Sequence, residues 1–291
     1  MPSLKAIKRR IASVNNTQQI MKAMNMVSAS KVHKNRSKME AIKPLFDGAK
    51  EFFNQGIFFE HREDSIYFAP RPTKSAAYIV ISGERGLCGS YNSNILKAAL
   101  SHMEIENIGT KEQIITIGAK GKEFYTRRNK MVVNDYPGVL ENPPYGIAED
   151  IAMYLTDRFI EDGDSQESLE NRLDAIYLVY TQFETLLSHS VKVINLLPFA
   201  SDIVATDDMT IYEPNVHTYL KKAVPIYLAM AIYGAMIESS VCEQASRMVS
   251  MDSAARNAEE IVDKLTLQYN RQRQSVITQE ISEIVSGANA I

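Results

Sequence analysis

The sequence has few of the residues on which disulfide-rich folds and metal sites depend. It contains two cysteines in 291 residues, Cys88 and Cys242, which lie 154 positions apart. That distance fits neither a disulfide framework nor a metal-binding spacing, so we expect two free thiols in a reducing compartment. The five histidines are scattered along the chain, and no H-E-x-x-H or C-x-x-C motif is present. We therefore expect no bound metal.

Long apolar runs are also missing. The longest uncharged, mostly apolar run is Ala223 to Ile237, which has fifteen residues and is interrupted by proline and glycine. A helix needs about 20 apolar residues to cross a bilayer, so we expect no direct membrane span. A charged amphipathic pattern, rather than an apolar segment, follows Met1 at once, which predicts no signal peptide.

The charges are distributed very unevenly. The first 50 residues hold 11 Lys and Arg against two acidic residues, a net charge of +9 in a chain whose overall net charge is −3. Such asymmetry indicates an acidic or polyanionic partner for the N-terminal segment. A nucleic acid is one alternative, but no aromatic residue precedes Phe46 and could stack on bases. A basic coiled-coil nucleic-acid binder is therefore the less favoured hypothesis.

The N-terminal segment predicts one long helix. Apolar and small polar residues recur there at alternating spacings of three and four, which is the seam of a coiled coil. The seam is apolar up to Val14 and then weakens at Gln18, Asn25 and Ser28, where it either packs on small residues or tolerates solvent. One hypothesis is that this stretch serves another partner instead of the second helix. The predicted seam positions are Leu4, Ile7, Ile11, Val14, Gln18, Met21, Asn25, Ser28 and Val32.

The C-terminal segment gives the stronger helical signal, because no proline occurs between Ile226 and Ile291. Two long helices at opposite ends of a chain, each with a seam, most simply pair antiparallel. The predicted C-terminal seam positions are Ile237, Val241, Gln244, Met248, Met251, Ala255, Ala258, Val262, Leu265, Tyr269, Gln272 and Val276.

The middle of the chain alternates between buried-strand and helix patterns, which predicts an α/β unit with a mostly parallel sheet. The predicted fold class is therefore α/β: a long antiparallel two-helix coiled coil built from the two ends, plus a central Rossmann-like domain. We place the helices at residues 1–57 and 215–291 and the central domain at 75–202. The predicted strands are Ala76–Ser82, Gln113–Ile117, Met131–Val133, Ala175–Thr181 and Val191–Leu197, and the predicted helices between them are Tyr91–Ser101 and Ile147–Ile160.

One loop is placed where a nucleotide-binding loop would stand. Gly83, Gly86 and Gly89 follow the first predicted strand and precede a helix. Their spacing is G-x-x-G-x-x-G rather than the dinucleotide fingerprint, so we interpret them as a tight strand-to-helix turn. A nucleotide-dependent oxidoreductase stays as the second alternative. Cys88, the one nucleophile in this loop, has no histidine tied to it by a local pattern, so we predict no catalytic residue and no cofactor.

Three blocks of the sequence resemble one known family. They are IASVNNTQQIMKAMNMVSASK from Ile11, SGERGLCGSYNSNI from Ser82, and the long stretch from Glu243 to the C-terminus. The last block contains the pattern I-T-x-E-x-x-E-x-x-x-G-A, here Ile277, Thr278, Glu280, Glu283, Gly287 and Ala288. All three are similar to the gamma subunit of the F-type ATP synthase, bacterial type, and the resemblance runs from end to end.

The resemblance implies a central rotor shaft and not an enzyme. It implies one copy per complex, with the two terminal helices inside the ring of alpha and beta subunits. The central domain would bind no nucleotide and would contact the epsilon subunit and the membrane c-ring. The location implied is peripheral, on the cytoplasmic side of the inner or plasma membrane, with no nucleic acid bound. Rotation of the c-ring would drive ATP synthesis on the beta subunits, or ATP hydrolysis would drive proton or sodium pumping.

The resemblance also implies contact residues, carried over position by position. Those facing the beta subunits are Lys8, Arg9, Met21, Lys22, Met24, Arg273, Gln274 and Thr278. Those at the foot that meets epsilon and the c-ring are Tyr212 and Glu213. The family's chloroplast members carry a disulfide-bearing insertion that is missing between Pro198 and Pro214, so we expect no thiol regulation.

Overall fold

The structure, a computed structural model, describes residues 3–54, 65–68, 72–105, 109–160, 172–199, 213 and 215–288. Five helices and five strands follow one another in these ranges. They are α1 Leu4–Asn54, β1 Ser75–Ile81, α2 Tyr91–Ile105, β2 Lys111–Ile117, α3 Ala119–Thr126, β3 Val132–Tyr136, α4 Tyr145–Ile160, β4 Ala175–Phe183, β5 His189–Leu197 and α5 Val216–Ala288.

The chain divides into two compact units. Met1–Ser30 and Arg247–Ile291 form one of them, which we call the helical pair, and Lys31–Ser246 form the other, which we call the α/β body. Helices α1 and α5 are continuous elements, and each contributes residues to both units.

The α/β body is built on a five-stranded sheet with the order β3-β2-β1-β4-β5. Strand β1 pairs in parallel with β2 and β4, and β2 pairs in parallel with β3. Strand β5 pairs antiparallel with β4. The prediction of a mostly parallel sheet is confirmed. The order reverses at β1, because the chain runs outward to β3 and then returns to place β4 on the other side of β1.

Successive residues of β1 enter different cores, as the two-residue period of a strand requires. Ala77, Ile79 and Ile81 face a core that also contains residues of α4 and the first part of α5. Ala76, Tyr78 and Val80 face a second core, against α2 and Tyr125 of α3. Both faces of the sheet are therefore covered by helices, which explains why its central strands are almost uniformly apolar.

Two features of the body differ from the sequence predictions. No helix was predicted between the second and third strands, but Ala119–Thr126 forms the short helix α3. Its N-cap, Gly118, has φ 94°, and a Cβ atom there would overlap the carbonyl oxygen of Ser82. Position 118 therefore requires a glycine. The glycine in turn explains why the sequence pattern did not predict a helix here. The strands β3 and β5 also extend beyond their predicted ends.

Candidate functional site: the helical pair and the crevice of the sheet

In the helical pair, α1 and α5 meet along the predicted seam. Ile7, Met251, Ala255 and Ala258 are buried there, whereas Ser253 and Arg256 between them are exposed. The remaining predicted seam positions of this unit are buried or half-buried. Ala255 and Ala258 are small, so the α1 backbone can approach α5 closely.

Two polar side chains fix the register of the pair. Asn25 Nδ2 donates to the carbonyl oxygen of Met248 at 2.9 Å, and Gln18 Nε2 donates to that of Ala255 at 3.4 Å. Gln18 Nε2 also donates to Glu259 Oε2 at 3.3 Å. Since the α5 partner number rises as the α1 number falls, the two helices run antiparallel, as predicted.

These bonds correct one hypothesis drawn from the sequence. The weak stretch of the seam at Gln18, Asn25 and Ser28 was expected to turn away from α5 and serve another partner. Instead, Gln18 and Asn25 bond to α5, and Ser28 is 2% exposed. A side-chain amide can donate to a helix carbonyl, so a polar seam position contributes to pairing and to register.

The predicted contact residues for other subunits are mostly on the surface. Lys8, Arg9, Lys22, Arg273, Gln274 and Thr278 are exposed, and Met21 and Met24 are half-buried. Glu213 is exposed, while Tyr212 lies outside the described residues. The end of α5 also carries exposed apolar side chains, namely Ile277, Ile281, Ile284 and Val285.

In the α/β body, a segment of α5 crosses the carboxyl ends of β1 and β4. Tyr91 Oη, from the helix that follows β1, donates to the carbonyl oxygen of Ser239 at 3.1 Å. From the end of β4, the Thr181 amide donates to Ser239 Oγ at 3.3 Å and the Phe183 amide donates to Glu238 Oε1 at 2.8 Å. Two turns further along α5, Ser246 Oγ donates to the carbonyl oxygen of Cys88 at 2.9 Å.

This placement argues against a nucleotide site at the glycine loop. Doubly wound folds bind nucleotides in the crevice where the strand order reverses, which here lies between β1 and β4. The α5 segment fills that crevice so closely that a Cβ atom on Gly83 would lie 3.0 Å from the carboxyl carbon of Glu243. A dinucleotide at this loop would have to displace the α5 segment, which weighs against the oxidoreductase alternative.

A neighbouring anion position is also taken by the chain itself. Gly118 offers α3 no side-chain cap, and Glu84 supplies one from the β1–α2 loop. Glu84 Oε2 accepts from the Ala119 amide at 3.2 Å and Glu84 Oε1 accepts from the Leu140 amide at 3.1 Å. The Glu84 carboxylate thus joins the loops that follow β1, β2 and β3. It occupies the N-terminus of α3, a position at which a helix would favour a bound phosphate.

The two thiols lie in the same region, are not joined in a disulfide and are both buried. Cys88 and Cys242 share a small cluster with Tyr91. Burial, with Glu238 and Glu184 nearby, raises the pKa of Cys242 well above its ordinary value. Burial, followed by Glu243 and Cys242, likewise raises the pKa of Tyr91. Since the thiolate is the reactive form, Cys242 is a structural residue and not a nucleophile.

Within the described part of the chain, no three His, Cys, Asp or Glu side chains come together as a metal-binding group. The same residues contain one helix, α5, with an 18-residue window apolar enough to cross a membrane, and 61% of that window is buried inside the protein. Partial burial of this kind is typical of a core helix.

Comparison with known proteins decides the family. The family model described as ATP synthase matches residues 3–291. The ATP synthase gamma chain of Alkaliphilus metalliredigens is 39% identical, over 98% of this chain and 97% of the relative. The sodium-ion-specific ATP synthase gamma chain of Acetobacterium woodii is 34% identical, over 98% of this chain and 97% of the relative. The chain belongs to the ATP synthase gamma chain family.

Solved structures agree with this family. A chain of the central stalk and c-ring structure of the Tetrahymena thermophila mitochondrial ATP synthase is 27% identical, with a TM-score of 0.58, over 81% of this chain and 99% of that one. A chain from the Euglena gracilis mitochondrial ATP synthase, at 18% identity, shows the same fold, with a TM-score of 0.68 over 99% of this chain and 94% of that one. As a gamma chain, this protein is the non-catalytic rotor subunit of the membrane-associated ATP synthase.

The sequence did not point to the crevice residues. Ser239 and Ser246 lie in a stretch of α5 where nine consecutive residues, 239–247, are all buried although six of them are polar or charged, and the half-buried Glu238 directly precedes it. The available signal was this run of small and polar residues, which directly follows the apolar stretch Ala223–Ile237, but nothing in it identifies the partners.

Proposed function

We propose that the chain carries rotation between the membrane c-ring and the catalytic beta subunits, so that ion flow drives ATP synthesis or ATP hydrolysis drives proton or sodium pumping. The observation that carries the proposal is the antiparallel pairing of α1 and α5 through Asn25 and Gln18 in a chain of this family. Such a pair is asymmetric by construction. A shaft that bound every beta subunit alike would change no nucleotide affinity on turning, because equal binding to all states shifts no equilibrium.

For the contacts with the beta subunits we propose two groups on the helical pair. Three exposed cations suit an acidic surface on the surrounding beta subunits, namely Lys8, Arg9 and Lys22. Beside them, Met21 and Met24 offer adaptable apolar contact. On the other helix we propose Arg273, Gln274 and Thr278, which are exposed. Exposed ion pairs contribute at most about 1 kcal/mol each, so they can guide the shaft without trapping it at one angle.

For the contacts with epsilon and the c-ring we propose Tyr212 and Glu213. We further propose functional boundaries at residues 1–57, 75–202 and 215–291, and a single copy per complex among the alpha, beta, epsilon and c subunits. The complex would hold the chain peripherally on the cytoplasmic side of the inner or plasma membrane. The c-ring and not this chain would select proton or sodium.

The first test is co-purification. An affinity-tagged full-length chain should bring down two larger nucleotide-binding subunits, each in several-fold excess over it. Tight gel-shift binding of nucleic acid at physiological salt, without those subunits, would contradict the proposal.

The second test addresses the basic face. In membrane vesicles that contain the assembled complex, the Lys8→Glu, Lys22→Glu double variant should lower proton pumping per ATP hydrolysed, because it places anions against that acidic surface. Lys97→Glu is the control, since Lys97 is also exposed but lies on α2 of the α/β body. Equal pumping ratios in the double variant and the control would refute the assignment of these lysines.

A further inference from the structure

We propose that the crevice between β1 and β4 is the mechanical joint through which the α/β body turns α5, with Tyr91, Glu238 and Ser246 as positioning residues. The inference rests on the proposed function, because it names the place where torque passes from one part of this chain to another. We use the word joint for the α5 residues Glu238, Ser239, Cys242 and Ser246 together with Tyr91, Thr181, Phe183 and Cys88, which bond to them.

The joint holds α5 from two sides. The end of β4 bonds to Glu238 and Ser239 through the amides of Phe183 and Thr181. The loop and helix after β1 bond to Ser239 and Ser246 through Tyr91 and Cys88. These α5 residues span two turns of the helix, so the contacts resist both rotation and sliding of α5 against the sheet.

The bonds of the joint are directional, and all of them are buried except the partly buried bond from the Phe183 amide to Glu238. Ser239 and Cys242 are 0% exposed, and Tyr91 and Thr181 are each 2% exposed. Water therefore cannot replace a bond that is broken when α5 turns in the crevice, and a buried donor or acceptor without its partner is costly. A small rotation of α5 relative to the sheet would break several of these bonds together.

The apolar contacts of α5 with the sheet cannot do the same work. Earlier in the helix, Leu220, Val224, Leu228 and Ile232 pack into the core of the α/β body. Apolar burial stabilises the attachment of α5 strongly, but the hydrophobic effect itself is non-directional. The apolar core therefore keeps α5 attached to the α/β body, and the hydrogen bonds of the joint fix the rotational angle of α5 relative to the sheet.

The charge of Glu238 is not needed for this role, but its acceptor oxygen is. Glu238 Oε1 accepts from the Phe183 amide at 2.8 Å, and a glutamine carbonyl at the same place would accept the same bond. Glu238→Gln should therefore preserve the joint and Glu238→Ala should weaken it. A role for this residue through charge alone predicts the reverse for Glu238→Gln.

The experiment uses the assembled complex with a marker on the α/β body. Lys97→Cys, at an exposed position of α2, provides an attachment point for a bead, and the native cysteines are buried. In paused complexes, the angular spread of the bead reports the torsional stiffness between body and ring. We expect the Tyr91→Phe, Ser246→Ala double variant to widen that spread, and Ser253→Ala, which alters an exposed serine of the same helix, to leave it unchanged.

The same variants should change coupling in membrane vesicles. Proton pumping per ATP hydrolysed should fall by about twofold or more in the double variant, which is the lower range for mutations that disturb a coupling path. Glu238→Ala should lower it, and Glu238→Gln should restore the wild-type ratio.

An assembled double variant with wild-type angular spread and wild-type pumping would overturn the inference. Should the double variant fail to assemble, Tyr91→Phe alone carries the test, because it removes one hydroxyl and keeps the ring. Failure of the wild-type chain to enter the complex or to rotate would instead contradict the proposed function.

Discussion

The same helix, α5, is built differently in the two units of the chain. In the helical pair, its burial alternates: Met251, Ala255 and Ala258 are buried, and the residues between them are exposed or half-buried. In the α/β body, Val241 to Ser246 are buried without interruption, although half of these residues are polar. In the helical pair, α5 therefore contributes one face to a two-helix seam. In the α/β body, the same helix is a core helix with protein on all sides.

The difference teaches how one chain can combine a firm attachment with a surface free for partners. A two-helix pair can bury only one stripe of each helix, so most of its side chains remain on the surface and its stability depends on a few contacts. The α/β body buries both faces of a sheet and holds α5 by directional bonds. Substitutions should consequently have larger effects in the body than in the pair, and the predictions below test that ranking.

The largest effect is expected in the core of the α/β body. Phe159 of α4 is fully buried and stacks on Tyr67, with ring centroids 6.2 Å apart. Phe159→Ala should lower the free energy of unfolding by about 3–5 kcal/mol, because it leaves a cavity in the core. Urea titration of the full-length chain measures it. Met153→Ala, at a position 54% exposed on the same helix, should change stability by less than about 0.5 kcal/mol.

A smaller effect in the body is expected from backbone strain at two glycines. Gly118 and Gly138 both have positive φ, 94° and 79°, but only Gly118 has a neighbouring atom, Ser82 O, in the space that a Cβ would take. Gly138→Ala should lower the free energy of unfolding by about 1–2 kcal/mol from the conformational cost alone. Gly118→Ala should lower it further because of the overlap. Equal thermal shifts in the two variants would contradict the assigned contact.

The two units also differ in how far the sequence predicts them. The seam of the helical pair is predictable residue by residue, because a heptad repeat is local and each position reports its own burial. The hydrogen bonds from Gln18 and Asn25 to α5 are not predictable in this way, because an amide side chain in a seam can face either the partner helix or solvent. The parallel order of the sheet follows from strand–helix alternation, whereas the antiparallel β5 does not. The joint depends on Tyr91 and Ser239, which are 148 residues apart, and no local pattern connects them.

In the helical pair, the largest single polar effect is expected at Asn25. Asn25→Ala removes the bond to the Met248 carbonyl and should cost about 1 kcal/mol, the usual net value of such a bond. Hydrogen exchange of the peptide around Met248, followed by mass spectrometry, should show faster local opening. Met26→Ala, at the adjacent position that is 70% exposed, is the control and should exchange like the wild type. If Asn25→Ala lowered the free energy of unfolding as much as Phe159→Ala, substitutions would not have larger effects in the α/β body than in the helical pair, and the expectation would be wrong.

The smallest effect is expected from mild alkali, and it should arise in the α/β body. Burial raises the pKa of Cys242 above that of an unfolded thiol, about 8.5, and raises the pKa of Tyr67 to about 12. The folded chain then keeps protons that the unfolded chain has lost, so this part of the stability is fully present below about pH 8.5 and is lost as pH rises from there. Between pH 7 and pH 9 the loss should stay below about 1 kcal/mol and come mainly from the thiol. Urea midpoints at pH 7, 8 and 9 measure it, and Cys242→Ala should flatten the decline. An equally steep decline in Cys242→Ala would show that the thiol is not its source.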